Sequence, residues 1–193
     1  MEAFLVSTGL VALAEIGDKT QLLAFLLAAR FKRPLPICLG ILIATIVNHA
    51  CAGAVGAWIT AHVAPHTMRW VLGVGFLAMA GWTLIPDKID EEEEGGGKLK
   101  LGVLGTTIVA FFLAEMGDKT QIATVALAAR FHDLFAVVAG TTFGMMLANV
   151  PAVFLGDRIA HKIPVRVVHG IAALIFAAIG VATLLGAGES LGV

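Results

Sequence analysis

The sequence predicts an all-α integral membrane protein: six transmembrane helices arranged as two inverted three-helix repeats. Three observations carry that expectation. The 193-residue chain is 59% hydrophobic and only 14% charged, with a mean hydropathy of +0.93, whereas soluble domains average about 25% charged residues. Its apolar residues fall into six runs of about 20, the length that crosses a bilayer. Finally, Leu13-Ala14-Glu15-Ile16-Gly17-Asp18-Lys19-Thr20-Gln21 recurs one hundred residues later as Leu113-Ala114-Glu115-Met116-Gly117-Asp118-Lys119-Thr120-Gln121, with only the fourth position changed.

The first run, residues 4–29, starts just after Met1-Glu2 and lacks the positive n-region of a cleavable signal peptide, so it reads as a spanning helix. Arg30-Phe31-Lys32-Arg33-Pro34 closes it. The second, 35–61, holds both cysteines, Cys38 and Cys51. Thirteen residues on one helix separate them by about 20 Å, too far for a disulfide. The stretch 62–66, with Pro65, ends that run, and the third covers 68–85. Next comes the longest polar segment, with Asp90-Glu91-Glu92-Glu93-Glu94 followed by Gly95-Gly96-Gly97. It reads as a solvated, flexible linker. The chain thus divides into a first repeat (1–86), a linker (87–100) and a second repeat (101–193). The fourth run is 101–129. The fifth, 134–155, carries Pro151 and is expected to kink there. The sixth, 165–185, follows a polar break at 157–164.

Repetition extends beyond the nine-residue phrase. Leu27-Ala28-Ala29-Arg30-Phe31 matches Leu127-Ala128-Ala129-Arg130-Phe131, Gly40 matches Gly140, and Gly56 matches Gly156. Because three spans is an odd number, the second half must enter from the opposite side of the membrane, which inverts it. Arg30, Lys32, Arg33, Lys88, Lys98, Lys100, Arg158, Lys162 and Arg166 fall on one side, and Arg69 and Arg130 on the other. The crowded side is expected to be cytoplasmic, with both termini outside and the linker inside. A net charge of −1 says nothing about nucleic acid, and no basic tail suggests such a partner, so none is expected.

Each copy of the phrase puts ionisable groups near mid-span, where they are costly unless paired or solvated and are functional candidates by default. On one continuous helix, Glu15, Asp18 and Lys19 would share a face, as would Glu115, Asp118 and Lys119. An inverted repeat can bring the two faces together. Four carboxylates and two lysines then leave −2, which a divalent cation or two protons would neutralise. With the amide oxygens of Gln21 and Gln121 the set is hard and oxygen-rich, suited to Mg²⁺, Ca²⁺ or Mn²⁺. Thr20 and Thr120 either add hydroxyl oxygens or bond back to their own helix. Gly17 and Gly117 either unwind the helix or pack it closely. Lys19 and Lys119 are expected to pair with carboxylates. Asn48, and the equivalent His49 and Asn149, complete the shell or bond across helices. Met116, Met145 and Met146 offer thioethers or simply pack. Gly40-x-x-x-Ala44 and Gly140-x-x-x-Gly144 are small-residue faces for tight helix contact.

Two copies of Glu-x-Gly-Asp-Lys-Thr, each in the first span of a three-span half, resemble the GDT family of cation/proton exchangers, which is grouped with the lysine-exporter superfamily. The resemblance covers essentially the whole chain. It implies that Glu15, Asp18, Glu115 and Asp118 bind the transported cation. It also implies a bacterial inner-membrane exporter of manganese (MneA type), with calcium as the other candidate. Mn²⁺ or Ca²⁺ would be substrate, exchanged for protons, and no permanent cofactor is expected.

Other classes fit less well. An amino-acid exporter of the same superfamily would hold a zwitterion, which suits a −2 site poorly. An intramembrane aspartyl protease needs a Tyr-Asp motif, and the chain contains no Tyr. A passive channel is disfavoured because paired charges at mid-membrane suit occlusion and exchange better than fast conduction.

Overall fold

The structure, a computed structural model, describes residues 1–85, 101–155 and 165–186. The linker expected at 87–100 lies outside the described residues, as do Lys88, Lys98, Lys100, Arg158 and Lys162 of the charge tally. Among the described residues all regular structure is helical. The elements are α1 (Glu2–Glu15), α2 (Lys19–Phe31), α3 (Pro34–His62), α4 (Pro65–Thr83), α5 (Gly102–Glu115), α6 (Lys119–Phe131), α7 (Leu134–Leu155) and α8 (Val165–Leu184). Three of them, α3, α7 and α8, are long and apolar enough to cross a membrane by themselves. The helix α7 runs through Pro151 to Leu155. Cys38 and Cys51 are both free thiols.

One expectation is corrected. Runs 4–29 and 101–129 are not continuous helices. Each is cut in two inside the repeated phrase, α1 from α2 and α5 from α6. Ile16 and Met116 turn extended at the ends of α1 and α5. Gly17 and Gly117 take φ of +84° and +75°, a region that Cβ-bearing residues seldom enter. Sharing of a helix face among Glu15, Asp18 and Lys19 therefore does not apply. The helix is interrupted between the glutamate and the aspartate and resumes at Lys19 and Lys119.

Equivalent helices make equivalent, exchanged contacts. The helix α1 packs on α7, and its counterpart α5 packs on α3; α3 also meets α7, and α4 meets α8. Phe76 and Phe176, one repeat apart, stack with ring centroids 6.3 Å apart and are fully buried. The close approach of α1 to α7 depends on glycine. A Cβ on Gly140 would stand 2.6 Å from the Phe4 carbonyl oxygen, and one on Gly144 2.6 Å from that of Thr8. Backbone cannot yield there as a flexible side chain can. Gly140→Ala is therefore expected to destabilise the protein by about 1–3 kcal/mol, the usual cost of overpacking. Gly75→Ala, with nothing near its Cβ, is expected to be neutral or slightly stabilising. Thermal unfolding of both variants in detergent checks the contrast.

The burial pattern suits a lipid environment. Large apolar side chains such as Leu35, Phe135 and Leu174 lie on the outside, while Ser7, Thr45, Asn48, His49, Thr107, Thr141 and Asn149 are buried. The apolar core is divided into two clusters, one built around Phe76, Leu127 and Phe176 and one around Ile37, Ile41 and Phe111. The buried carboxylates belong to neither.

Candidate cation site

The site is assembled at the two helix breaks. Glu15 and Glu115 are the last residues of α1 and α5, and Asp18 and Asp118 are the N-caps of α2 and α6. Each break is a tight turn closed by a backbone bond, Asp18 N to Glu15 O at 3.1 Å and Asp118 N to Glu115 O at 3.2 Å. A glutamine one turn later clasps it. The Gly17 N–H donates to Gln21 Oε1 at 2.9 Å and the Gly117 N–H to Gln121 Oε1 at 2.7 Å. The other end of each amide reaches the opposite half: Gln21 Nε2 donates to the Ala148 carbonyl at 3.0 Å, and Gln121 Nε2 to Asn48 Oδ1. The two glutamines thus fix the breaks to α7 and α3.

Three carboxylates converge. One oxygen each of Glu15, Glu115 and Asp118 lie within 4.8 Å of one another, all on buried residues. Glu15 and Glu115 have no exposed surface at all. Asp18 is also buried, at the equivalent N-cap, but is not one of the three. The threonine hydroxyls orient the group. Thr20 donates to Glu15 Oε2 at 2.5 Å; Thr120 is within 3.1 Å of Glu115 Oε2 and 3.3 Å of Asp118 Oδ2. Lys19 Nζ stands 3.7 Å from Asp118 Oδ1, an ion pair between the two halves. Lys119, buried, donates to the Ile85 carbonyl at 2.8 Å.

The neighbouring polar groups come from the long helices. His49 Nε2 lies 3.9 Å from Glu115 Oε2, close to the middle of α3. Asn48 Nδ2 donates to the Phe112 carbonyl at 3.4 Å. Asn149, equivalent to His49, instead turns its Nδ2 back to the Met145 carbonyl at 3.1 Å and the Met145 sulfur at 3.0 Å. Met116 is 56% exposed. The residue that sequence reasoning passed over is His169. Its Nε2 bonds the Ile16 carbonyl at 2.8 Å, from a position 153 residues away. A usable signal was present: an imidazole inside an apolar run is a functional candidate for the same reason as the carboxylates.

Chemically, this is a hard oxygen site with excess negative charge. Three carboxylates beside one ammonium carry −2 when all are ionised. Buried charge of that kind is costly unless a cation or protons compensate it. The helix ends add partial charges: the N-termini of α2 and α6 favour the aspartates, and the C-termini of α1 and α5 favour a cation.

Comparison with known proteins agrees with this chemistry. The family profile described as "Divalent cation/proton antiporter GDT1" matches residues 3–91 and again 103–191. A "Putative manganese exporter" of Vibrio cholerae serotype O1 is 47% identical over 184 residues, covering 95% of this chain and 90% of the relative. "GDT1-like protein sll0615" of Synechocystis is 29% identical over 193 residues, 91% of this chain and 93% of the relative. The "Divalent cation/proton antiporter GDT1" of Saccharomyces cerevisiae is 27% identical over 231 residues, 91% and 81% of the two chains. No solved structure matches the chain. A profile that matches both halves, on a helical chain whose two similar halves meet in buried carboxylates, makes this protein a member of the GDT1 family of divalent cation/proton antiporters.

Proposed function

We propose that the chain is a secondary transporter that exports Mn²⁺, with Ca²⁺ as the second candidate, in exchange for protons. In this reading six spans form two inverted three-helix repeats, with each broken pair, α1–α2 and α5–α6, counting as one span. The bilayer is the inner membrane of a bacterium, the linker is cytoplasmic and both termini are outside. Glu15, Glu115 and Asp118 bind the cation, with Asp18 as the fourth carboxylate. The observation that carries the reading is the approach of those three buried carboxylates to within 4.8 Å, two from one motif and one from the other. The charge balance gives the coupling. A divalent cation or two protons neutralise a −2 site, so they compete for the same oxygens. Thr20 and Thr120 hold the carboxylates in place, and Lys19 keeps the site from binding its cargo too tightly to release. The name of the Vibrio relative puts manganese first.

Purified protein in proteoliposomes tests this reading directly. An imposed pH gradient is expected to drive Mn²⁺ uphill, with the internal pH changing in the opposite sense. Passive equilibration of Mn²⁺ with no response to the gradient would mark a channel, and flux of labelled lysine in place of Mn²⁺ would mark an amino-acid exporter.

A further inference from the structure

The two motifs are identical in sequence except at one position, yet they are not held alike. At the first break, α8 closes over the turn. His169, 8% exposed, bonds the Ile16 carbonyl at 2.8 Å. Val165 packs so close that a Cβ on Gly17 would stand 2.5 Å from its Cγ1. At the second break, a Cβ on Gly117 would meet nothing within 4 Å. The residues equivalent to Val165 and His169 are Pro65 and Arg69. They line a cavity of about 340 Å³ with Thr60, Ala129 and Arg130, at the far end of α6 from the break. The same difference appears at the level of helices: α8 packs on α1, whereas α4 packs on α6 and not notably on α5.

We propose that His169 is a positioning residue for cation exchange, acting through the Ile16 carbonyl to set where Glu15 stands in the carboxylate group. The inference rests on the exchange reading above. A carbonyl only accepts, so Nε2 donates. Ile16 is the residue next to Glu15, and its peptide is the pivot of the turn. Anchoring that oxygen fixes the orientation of the pivot, and with it the approach of Glu15 to Glu115 and Asp118. Val165, one turn before His169 on the same helix, fills the space over Gly17. The bond at the first break, together with the closer packing over Gly17 than over Gly117, makes the two halves inequivalent. A symmetric pair of motifs thereby gives an asymmetric site, in which Asp118 joins the glutamates and Asp18 does not.

The test measures initial rates of Mn²⁺ transport in proteoliposomes against Mn²⁺ concentration. His169→Phe keeps the ring volume and removes the donor. It is expected to raise KM for Mn²⁺ by roughly two- to tenfold, what one net hydrogen bond is worth, with maximal rate changed less than KM. His169→Gln, whose amide can donate to the same carbonyl, is expected to recover most of that loss. Arg69→Gln, at the equivalent position, is expected to leave KM within twofold. A second pair reports independently: Gly17→Ala raises KM, and adding Val165→Ala recovers part of it by removing the clash. If His169→Phe keeps KM within twofold of the parent, or His169→Gln does no better than His169→Phe, the assignment is wrong. Glu115→Gln run alongside separates the two levels of the argument. Transport that persists in Glu115→Gln overturns the exchange reading itself. Its loss there, with His169→Phe unchanged, overturns only the role of His169.

Discussion

Glu115→Gln is expected to abolish proton-coupled Mn²⁺ transport and, at the same time, to raise the thermal stability of the cation-free protein. The two halves of that expectation come from one geometry. Glu115 has no exposed surface and shares a 4.8 Å neighbourhood with Glu15 and Asp118. Its Oε2 accepts from Thr120 at 3.1 Å. Glutamine keeps the shape and an acceptor oxygen for Thr120 but removes one negative charge from a group with too many. Without a cation, that change relieves like-charge repulsion and desolvation, an effect of about 1 kcal/mol or more in a buried setting. With a cation, it removes a charged ligand. A purely structural salt-bridge network predicts the reverse sign, because deleting one partner of a buried pair costs roughly 3–5 kcal/mol. Thermal unfolding with and without Mn²⁺, together with flux, therefore separates the readings. A destabilised Glu115→Gln protein that still transports Mn²⁺ would sink the site. Glu15→Gln, held by Thr20 at 2.5 Å, is expected to behave in the same way.

Much of this was legible in the sequence, and what was not has physical reasons. The apolar runs 35–61, 68–85, 134–155 and 165–185 correspond closely to the helices α3, α4, α7 and α8, of which α3, α7 and α8 are long and apolar enough to cross a membrane, because length and hydropathy report directly on a helix that satisfies its own backbone. The doubled phrase pointed to Glu15, Asp18, Glu115 and Asp118 because charge in an apolar run is expensive, and the structure brings oxygens of three of them together. The breaks between α1 and α2 and between α5 and α6 were hidden. Apolar residues continue through them, no proline marks them, and a glycine alone fits either packing or unwinding. Their consequence was hidden with them. Gln21 and Gln121 seemed suited to offering amide oxygens to a cation, and in the structure those oxygens accept from Gly17 and Gly117. The bond between His169 and Ile16 joins positions that no local spacing relates. Nor can two motifs that differ at one position reveal that Asp118 joins the carboxylate group and Asp18 does not, because that depends on how the two halves meet in space.

The ion pair between Lys19 and Asp118 supplies the second large effect, and it tests the charge arithmetic rather than the ligand list. Asp118 is N-cap to α6, lies 3.3 Å from the Thr120 hydroxyl, belongs to the carboxylate group and faces Lys19 at 3.7 Å. Asp118→Asn preserves the capping preference and the shape. It moves the charge of the four carboxylates and two lysines from −2 to −1, so a divalent cation no longer leaves the site neutral. Mn²⁺ binding, read by titration calorimetry, is expected to fall by more than tenfold, which is about 1.4 kcal/mol or more. Adding Lys19→Met returns the sum to −2 while leaving the lost ligand lost. The double variant is therefore expected to bind Mn²⁺ more tightly than Asp118→Asn alone, though still below the parent. If Lys19 only carries its charge away from the site, the double variant will bind no better than the single one. Net charge would then not be what selects a divalent ion here, and the coupling of one Mn²⁺ to two protons would lose its basis.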